Sequence, residues 1–174
     1  MHSPKITIRE EIEADHAAIH AVNAAAFESA AEAELVARLR AAKAVFLSLV
    51  AVSVDAIVGH CLFSPVTVAG AAEECRWVAL GPMAVLPAEQ RKGIGSALVG
   101  AGLEGCRERG APGVFVLGHP AFYPRFGFRP SASFGIRSEY DVPDEVFMVE
   151  AFEPDALAAA SGGTVQYHAA FQGV

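Results

Sequence analysis

Cysteine is scarce: Cys61, Cys75 and Cys106 are the three in a chain of 174 residues, odd in number and without a C-x-x-C spacing. That excludes a disulfide framework and a cysteine zinc site, and leaves each thiol as a small buried hydrophobe rather than a nucleophile. Positive charge is also short. Lys and Arg number 13 against 20 Asp and Glu, for a formal charge of −7, whereas a grip on nucleic acid needs a basic surface to meet phosphates. Long unbroken apolar runs are missing too. The longest, AVFLSLVAVSVDAIVGHCLF, is cut by Asp55, Gly59 and His60 and is rich in β-branched residues, unlike a membrane span. The opening MHSPKITIREEIEADH carries acidic residues where a signal peptide has its apolar core. These absences predict a cytoplasmic protein with no nucleic-acid and no membrane partner. No repeat, low-complexity tract or linker divides the chain, so a single domain over residues 1–174 is expected.

What is present is apolar. Hydrophobic residues make up 53% of the chain and charged ones 19%, a composition that builds a core rather than a disordered tail. Ile6–Arg9 alternates like a strand, Asp15 stands where a helix N-cap would, and Ile19 and Val22 follow at helical spacing. Leu35, Val36 and Leu39 mark a second amphipathic helix over Ala31–Ala42. Phe46–Val52 and Ile57–Val68 flank the SVDA break as an antiparallel hairpin. A fourth strand, Val78–Leu86, is interrupted by Gly81-Pro82, and proline cannot donate to a ladder. Ile94, Ala97, Leu98, Ala101 and Gly105 trace one face of a helix from about Lys92 to Arg109, with Gly110 as its stop. GVFVLG after it suits a central parallel strand, which closes a βαβ unit. Phe147–Phe152 and Val165–Ala170 add two more strands. The fold class predicted is α/β (α+β), a mixed central sheet with helices on both faces.

Residues 80–99, LGPMAVLPAEQRKGIGSALV, carry the clearest chemistry. A strand runs into a charged turn, Gly93 and Gly95 follow, and a helix begins. A helix N-terminus offers unpaired N–H groups and partial positive charge, which together suit phosphate or pyrophosphate. A Walker A loop is excluded because Gly95-Ser96 lacks the lysine, and the dinucleotide fingerprint fails at Leu98. On pattern alone, the glycines could equally serve a tight strand-to-helix turn.

Gln90-Arg91-Lys92-Gly93-Ile94-Gly95 resembles the Q/R-x-x-G-x-G/A acetyl-coenzyme A signature of the GNAT superfamily of N-acetyltransferases, with MAV as its preceding strand. FYPRFGF resembles the superfamily's tyrosine-bearing Y-x-x-x-G-F segment, and LGHPAFYPRFGFRPS with VPDEVFMV is most similar to its YhbS-like branch. The commonest pattern has an asparagine several residues before the tyrosine; here that stretch is shortened to GHPAF, so its contacts do not carry over. The resemblance implies a GNAT-like sheet of about seven strands with strands 4 and 5 parallel and splayed. It also implies acetyl-coenzyme A as cosubstrate, a primary amine of a small molecule or protein as acceptor, direct transfer and no metal. Met83, Ala84 and Val85 would pair with the pantetheine arm. The amides of Arg91, Lys92, Gly93, Ile94, Gly95 and Ser96 would hold the pyrophosphate, and Tyr123 would protonate the departing thiolate.

Each of these has a plainer reading: a solvated turn for Arg91 and Lys92, core packing for Met83, Val85 and Tyr123. The base is not legible, because VALGPMAV holds no acid where family members often keep a glutamate. His119 beside the tyrosine is one candidate and also reads as a capping residue of its turn; His60, Glu139 and a water chain are others. Phe27, Phe134 and Tyr140 are either acceptor-site liners or core residues. A binding module that senses acyl-coenzyme A without turnover is the alternative function, and a homodimer through the C-terminal strands stays open.

Overall fold

The computed structural model describes residues 4–70 and 76–174, so Cys75 lies outside the described residues. In chain order the elements are β1 (Ile6–Glu10), α1 (His16–Phe27), α2 (Ala31–Ala41), β2 (Leu47–Ser53), β3 (Ala56–Pro65), β4 (Thr67–Ala69) and β5 (Val78–Val85). They continue with α3 (Ile94–Glu108), β6 (Gly113–Leu117), β7 (Arg129–Pro130), β8 (Arg137–Ser138), β9 (Phe147–Ala151), α4 (Pro154–Ala160) and β10 (Thr164–Gln166). The main sheet has the order β1-β2-β3-β5-β6-β9-β7, and β4-β10-β8 form a second, three-stranded sheet. The α/β class and mixed sheet are therefore as expected; β5 is the fourth strand of the sequence reading. The βαβ unit is present, with β5 and β6 parallel.

The chain clusters into two compact units, one of Met1–Phe63, Pro82–Gly102 and Ala170–Val174, the other of Ser64–Gly81 and Leu103–Ala169. In the first, apolar residues at helical spacing on α1 and α2 (Ile19, Leu35, Val36, Leu39) pack on Val50 of β2 and Leu62 of β3. The opposite face of β3 receives α3. Gly59 and Gly102 permit the approach: a Cβ on Gly59 would sit 3.0 Å from Leu98 and 3.1 Å from Ile94, and one on Gly102 would overlap the Phe63 ring. Two absent methyl groups thus set how closely the start of α3 lies on the sheet. Asp15 flanks α1 but does not cap it. Its carboxylate accepts from Arg9 at 2.7 and 3.0 Å and from the Ile12 amide at 2.8 Å.

The second unit is built on aromatic rings. Trp77 and Phe115 lie 4.9 Å apart and Phe115 stacks on Phe147 at 5.6 Å, with Ile136, Val149 and Val165 around them. Two expected strands are shorter than read. Ile57–Val68 breaks after Pro65, which has no N–H to continue the ladder, and Val66 bonds to Trp77 instead (3.0 Å). Val165–Ala170 ends as a strand at Gln166, because the Glu139 carboxylate takes the Tyr167 amide at 2.8 Å. That strand belongs to the small sheet, beside β4 and β8.

Candidate active site

In the first unit the site residues follow one another along β5 and into α3. The β5–β6 ladder joins only Val78–Leu80 to Val114–Val116, while β5 itself runs on to Val85. Pro82, with no donor, stands just past the last paired residue. Pro82 and Ala84 are buried; Met83 and Val85 are half-buried. A 3₁₀ turn, Pro87–Glu89, reverses the chain, and Gln90 Nε2 donates back to the Val85 carbonyl at 3.0 Å. Lys92 Nζ lies 3.2 Å from the Glu89 carboxylate.

The turn that follows is strained at one residue and relaxed at another. Arg91 takes φ 64°, left-handed for a residue with a Cβ, and Gly93 takes φ 87°. A Cβ on Gly93 would meet nothing within 4 Å, so glycine is needed there for its backbone angle and faces open space. The first bond of α3 runs from Ala97 N to Gly93 O at 3.0 Å. The amides of Ile94, Gly95 and Ser96 therefore precede any intrahelical acceptor and point out of the N-terminus of a 15-residue helix. Arg91 and Lys92 are exposed beside them. This is an anion-binding arrangement.

In the second unit Tyr123 opens a 3₁₀ turn, Tyr123–Phe126, and is 7% exposed. Its ring meets Phe122 and Phe128 edge-on at 4.9 and 5.6 Å. Gly118 lies beneath it; a Cβ there would overlap the ring. His119 Nδ1 accepts the Ala121 amide at 3.1 Å, so the capping reading describes its geometry. Gly127, at φ 96°, closes the turn, and a Cβ on it would overlap the Glu150 carboxylate, which burial pushes toward its protonated form. Gly118 and Glu150 were not legible as site neighbours, since neither lies within the tyrosine motif.

The remaining candidates divide. His60 is fully buried: Asn23 Nδ2 donates to Nδ1 at 3.1 Å and Nε2 faces Ser48 Oγ at 2.9 Å. Burial, helped by Arg40, pushes its pKa down to about 3. The Cys106 thiol is pushed up to about 12 by burial and is no nucleophile. Phe27 and Tyr140 are not core residues, being 39% and 36% exposed; Phe134 is half-buried under the Arg129 guanidinium at 4.7 Å. Tyr140 lines a cleft of about 350 Å³ together with Glu139, Asp141, Asp144 and Arg137. Among the described residues no helix is long and apolar enough to cross a membrane.

Comparison with known proteins places this geometry. Residues 10–128 match the sequence profile of the acetyltransferase (GNAT) family. The chain is 38% identical to the uncharacterised N-acetyltransferase YhbS of Escherichia coli K12, covering 94% of this chain and 97% of that one. A crystal structure of Escherichia coli YhbS in complex with coenzyme A superposes with a TM-score of 0.91, at 37% identity over 98% of this chain and 94% of the other. A GNAT acetyltransferase from Brucella melitensis in complex with acetyl-coenzyme A gives 0.80, at 40% identity over 97% and 99%. With profile, near full-length identity and fold in agreement, the chain belongs to the GNAT family of acetyltransferases.

Proposed function

We propose that the protein transfers acetyl from acetyl-coenzyme A to a primary amine of a small molecule or protein, by direct attack within a ternary complex. The observation that carries this reading is the α3 N-terminus: three amides ahead of the first helical bond, an open face at Gly93, and two exposed cations. Relatives crystallised with coenzyme A and acetyl-coenzyme A support the same ligand here. The amides of Gly93–Ser96 hold pyrophosphate, Arg91 and Lys92 meet outer phosphates, and the backbone of Met83–Val85, free of the β6 ladder, pairs with the pantetheine arm.

The neutral amine attacks the thioester carbonyl carbon, a β5 amide near Met83 donates to the developing oxyanion, and the C–S bond breaks with Tyr123 protonating sulfur. His60 is sealed in the core and Glu139 holds the Tyr167 amide, so the proton lost by nitrogen passes to water. The acid-rich cleft beside Tyr140 is the surface on which a protonated amine would first gather. No step calls on a metal.

One observation favours a second reading: no carboxylate lies anywhere in Val78–Val85, as suits a sensor that binds acyl-coenzyme A without turnover. Calorimetry with acetyl-coenzyme A and coenzyme A, on wild type and Gly93→Glu, decides between them when combined with thiol detection over an amine panel. Micromolar binding lost in the variant, with amine-dependent thiol release, is the expected result. Binding without release points to the sensor, and no wild-type binding removes both.

A further inference from the structure

The corner after β6 is tied more tightly than its exposure requires. Gly118 N donates to the Val146 carbonyl at 2.9 Å, and the His119 carbonyl accepts from Phe122 N at 3.1 Å and Tyr123 N at 3.4 Å. The His119 ring then takes the Ala121 amide on Nδ1. On this frame the Cε2 edge of the Tyr123 ring abuts Gly118, where a Cβ would overlap Cε2 and stand 2.8 Å from Cδ2 and 3.2 Å from Cζ. Phe122 and Phe128 close the ring in edge-on. A ring held at one edge by a residue with no side chain, and by two neighbouring rings, has its hydroxyl placed by that frame.

The geometry points to Gly118 and His119 as positioning residues for Tyr123, with His119 acting as a neutral Nδ1 acceptor and not as the base for the amine. The inference rests on Tyr123 being the proton donor to the departing thiolate. A backbone amide can only donate, so Nδ1 carries no proton and the neutral ring keeps its hydrogen on Nε2. The Arg125 guanidinium of the same turn stands over the Phe122 ring at 5.0 Å.

The test joins steady-state kinetics to NMR of the Ala121 amide. His119→Ala lowers kcat about fivefold, comparable to one lost hydrogen bond, with KM for acetyl-coenzyme A within about twofold. His119→Asn, whose Oδ1 can take the same amide, recovers most of the rate. Gly118→Ala lowers kcat about tenfold in the wild-type background and costs nothing more in Tyr123→Phe, where no hydroxyl remains to misplace. Equal losses in both backgrounds, or an asparagine no better than alanine, overturn the seat. If Tyr123→Phe keeps wild-type kcat, or wild type releases no thiol, it is the donor reading that fails. The seat is then judged by the Ala121 amide alone. Its NMR shift moves in His119→Ala and largely returns in His119→Asn if Nδ1 is its acceptor; an amide unmoved by either substitution overturns the inference.

Discussion

Burial makes the imidazole of His60 a poor base and a sensitive reporter of folding. Its ordinary pKa of 6.5 falls to about 3 in the folded chain, through desolvation first and the nearby Arg40 second. Between those values the unfolded chain binds a proton that the folded chain does not, so this residue's contribution to stability is lost as pH falls from about 6.5 toward 3. The loss is about 1.4 kcal/mol per pH unit at most. His60→Gln removes the titration and weakens the contacts to Ser48 and Asn23, which costs about 1–3 kcal/mol near pH 7. Urea unfolding of both chains at about pH 7.5 and 5 should show the gap narrowing on the acid side; a constant gap would mean that His60 titrates alike in the folded and the unfolded chain. Tyr123→Phe should lower kcat by about 10²-fold while coenzyme A affinity holds, and an unchanged kcat would end its role as acid. The sequence motif exposed Tyr123 and the glycine turn because both reuse a short fixed spacing. The capping reading of His119 was open from its place in the Gly-Pro turn, but the contact of Gly118 with the ring was not, since a missing Cβ beside a ring is written in space and not in periodicity.

Helix α3 contains a paired experiment in its own sequence. Gly100 is exposed with nothing within 4 Å of a prospective Cβ, whereas one on Gly102 would overlap the fully buried Phe63 ring. Gly100→Ala should stabilise by up to about 1 kcal/mol through helix propensity. Gly102→Ala, the same change two residues on, should destabilise by about 1–3 kcal/mol, because the overpacked ring must move. Thermal unfolding reads both, and equal signs would show that α3 does not lie on β3 as described. The β2–β3 hairpin turns on Val54 and Asp55, both left-handed at φ 47° and 60°, with Val54 80% exposed. A β-branched residue there pays strain without packing, so Val54→Asn with Asp55→Gly should stabilise by about 1–2 kcal/mol. α2, α3 and β5 were legible to within a residue or two, because they bury a regular stripe, whereas α4 (Pro154–Ala160) was read only as a connection between strands. The end of β10 was not legible, since the Glu139 side chain that takes its next amide comes from a distant turn. Asp15 also misled: its carboxylate had a stronger partner in Arg9 than the helix it precedes.

An acidic molecule that binds a polyanion must do so against its own mean field. The chain carries −7, so attraction for a phosphorylated ligand has to be local, from the α3 amides and the Arg91-Lys92 pair. Amides aimed at a bound phosphate are screened far less than exposed side chains, while added salt also relieves the repulsion from the distant carboxylates. The two effects oppose each other. Affinity for coenzyme A should therefore change less than about threefold between 50 and 200 mM salt, in contrast to the steep loss of a site built on many exposed cations. Arg91→Ala with Lys92→Ala should weaken binding about tenfold and leave a residual affinity that rises slightly with salt, since only the screened repulsion is left to respond. Coenzyme A at about 100 times its Kd should add about 2.7 kcal/mol to stability and raise Tm by about 5–10 °C, an increase that Gly93→Glu should abolish. A steep salt slope in wild type would instead assign the grip to side chains, and Gly93 would be left as a turn residue only.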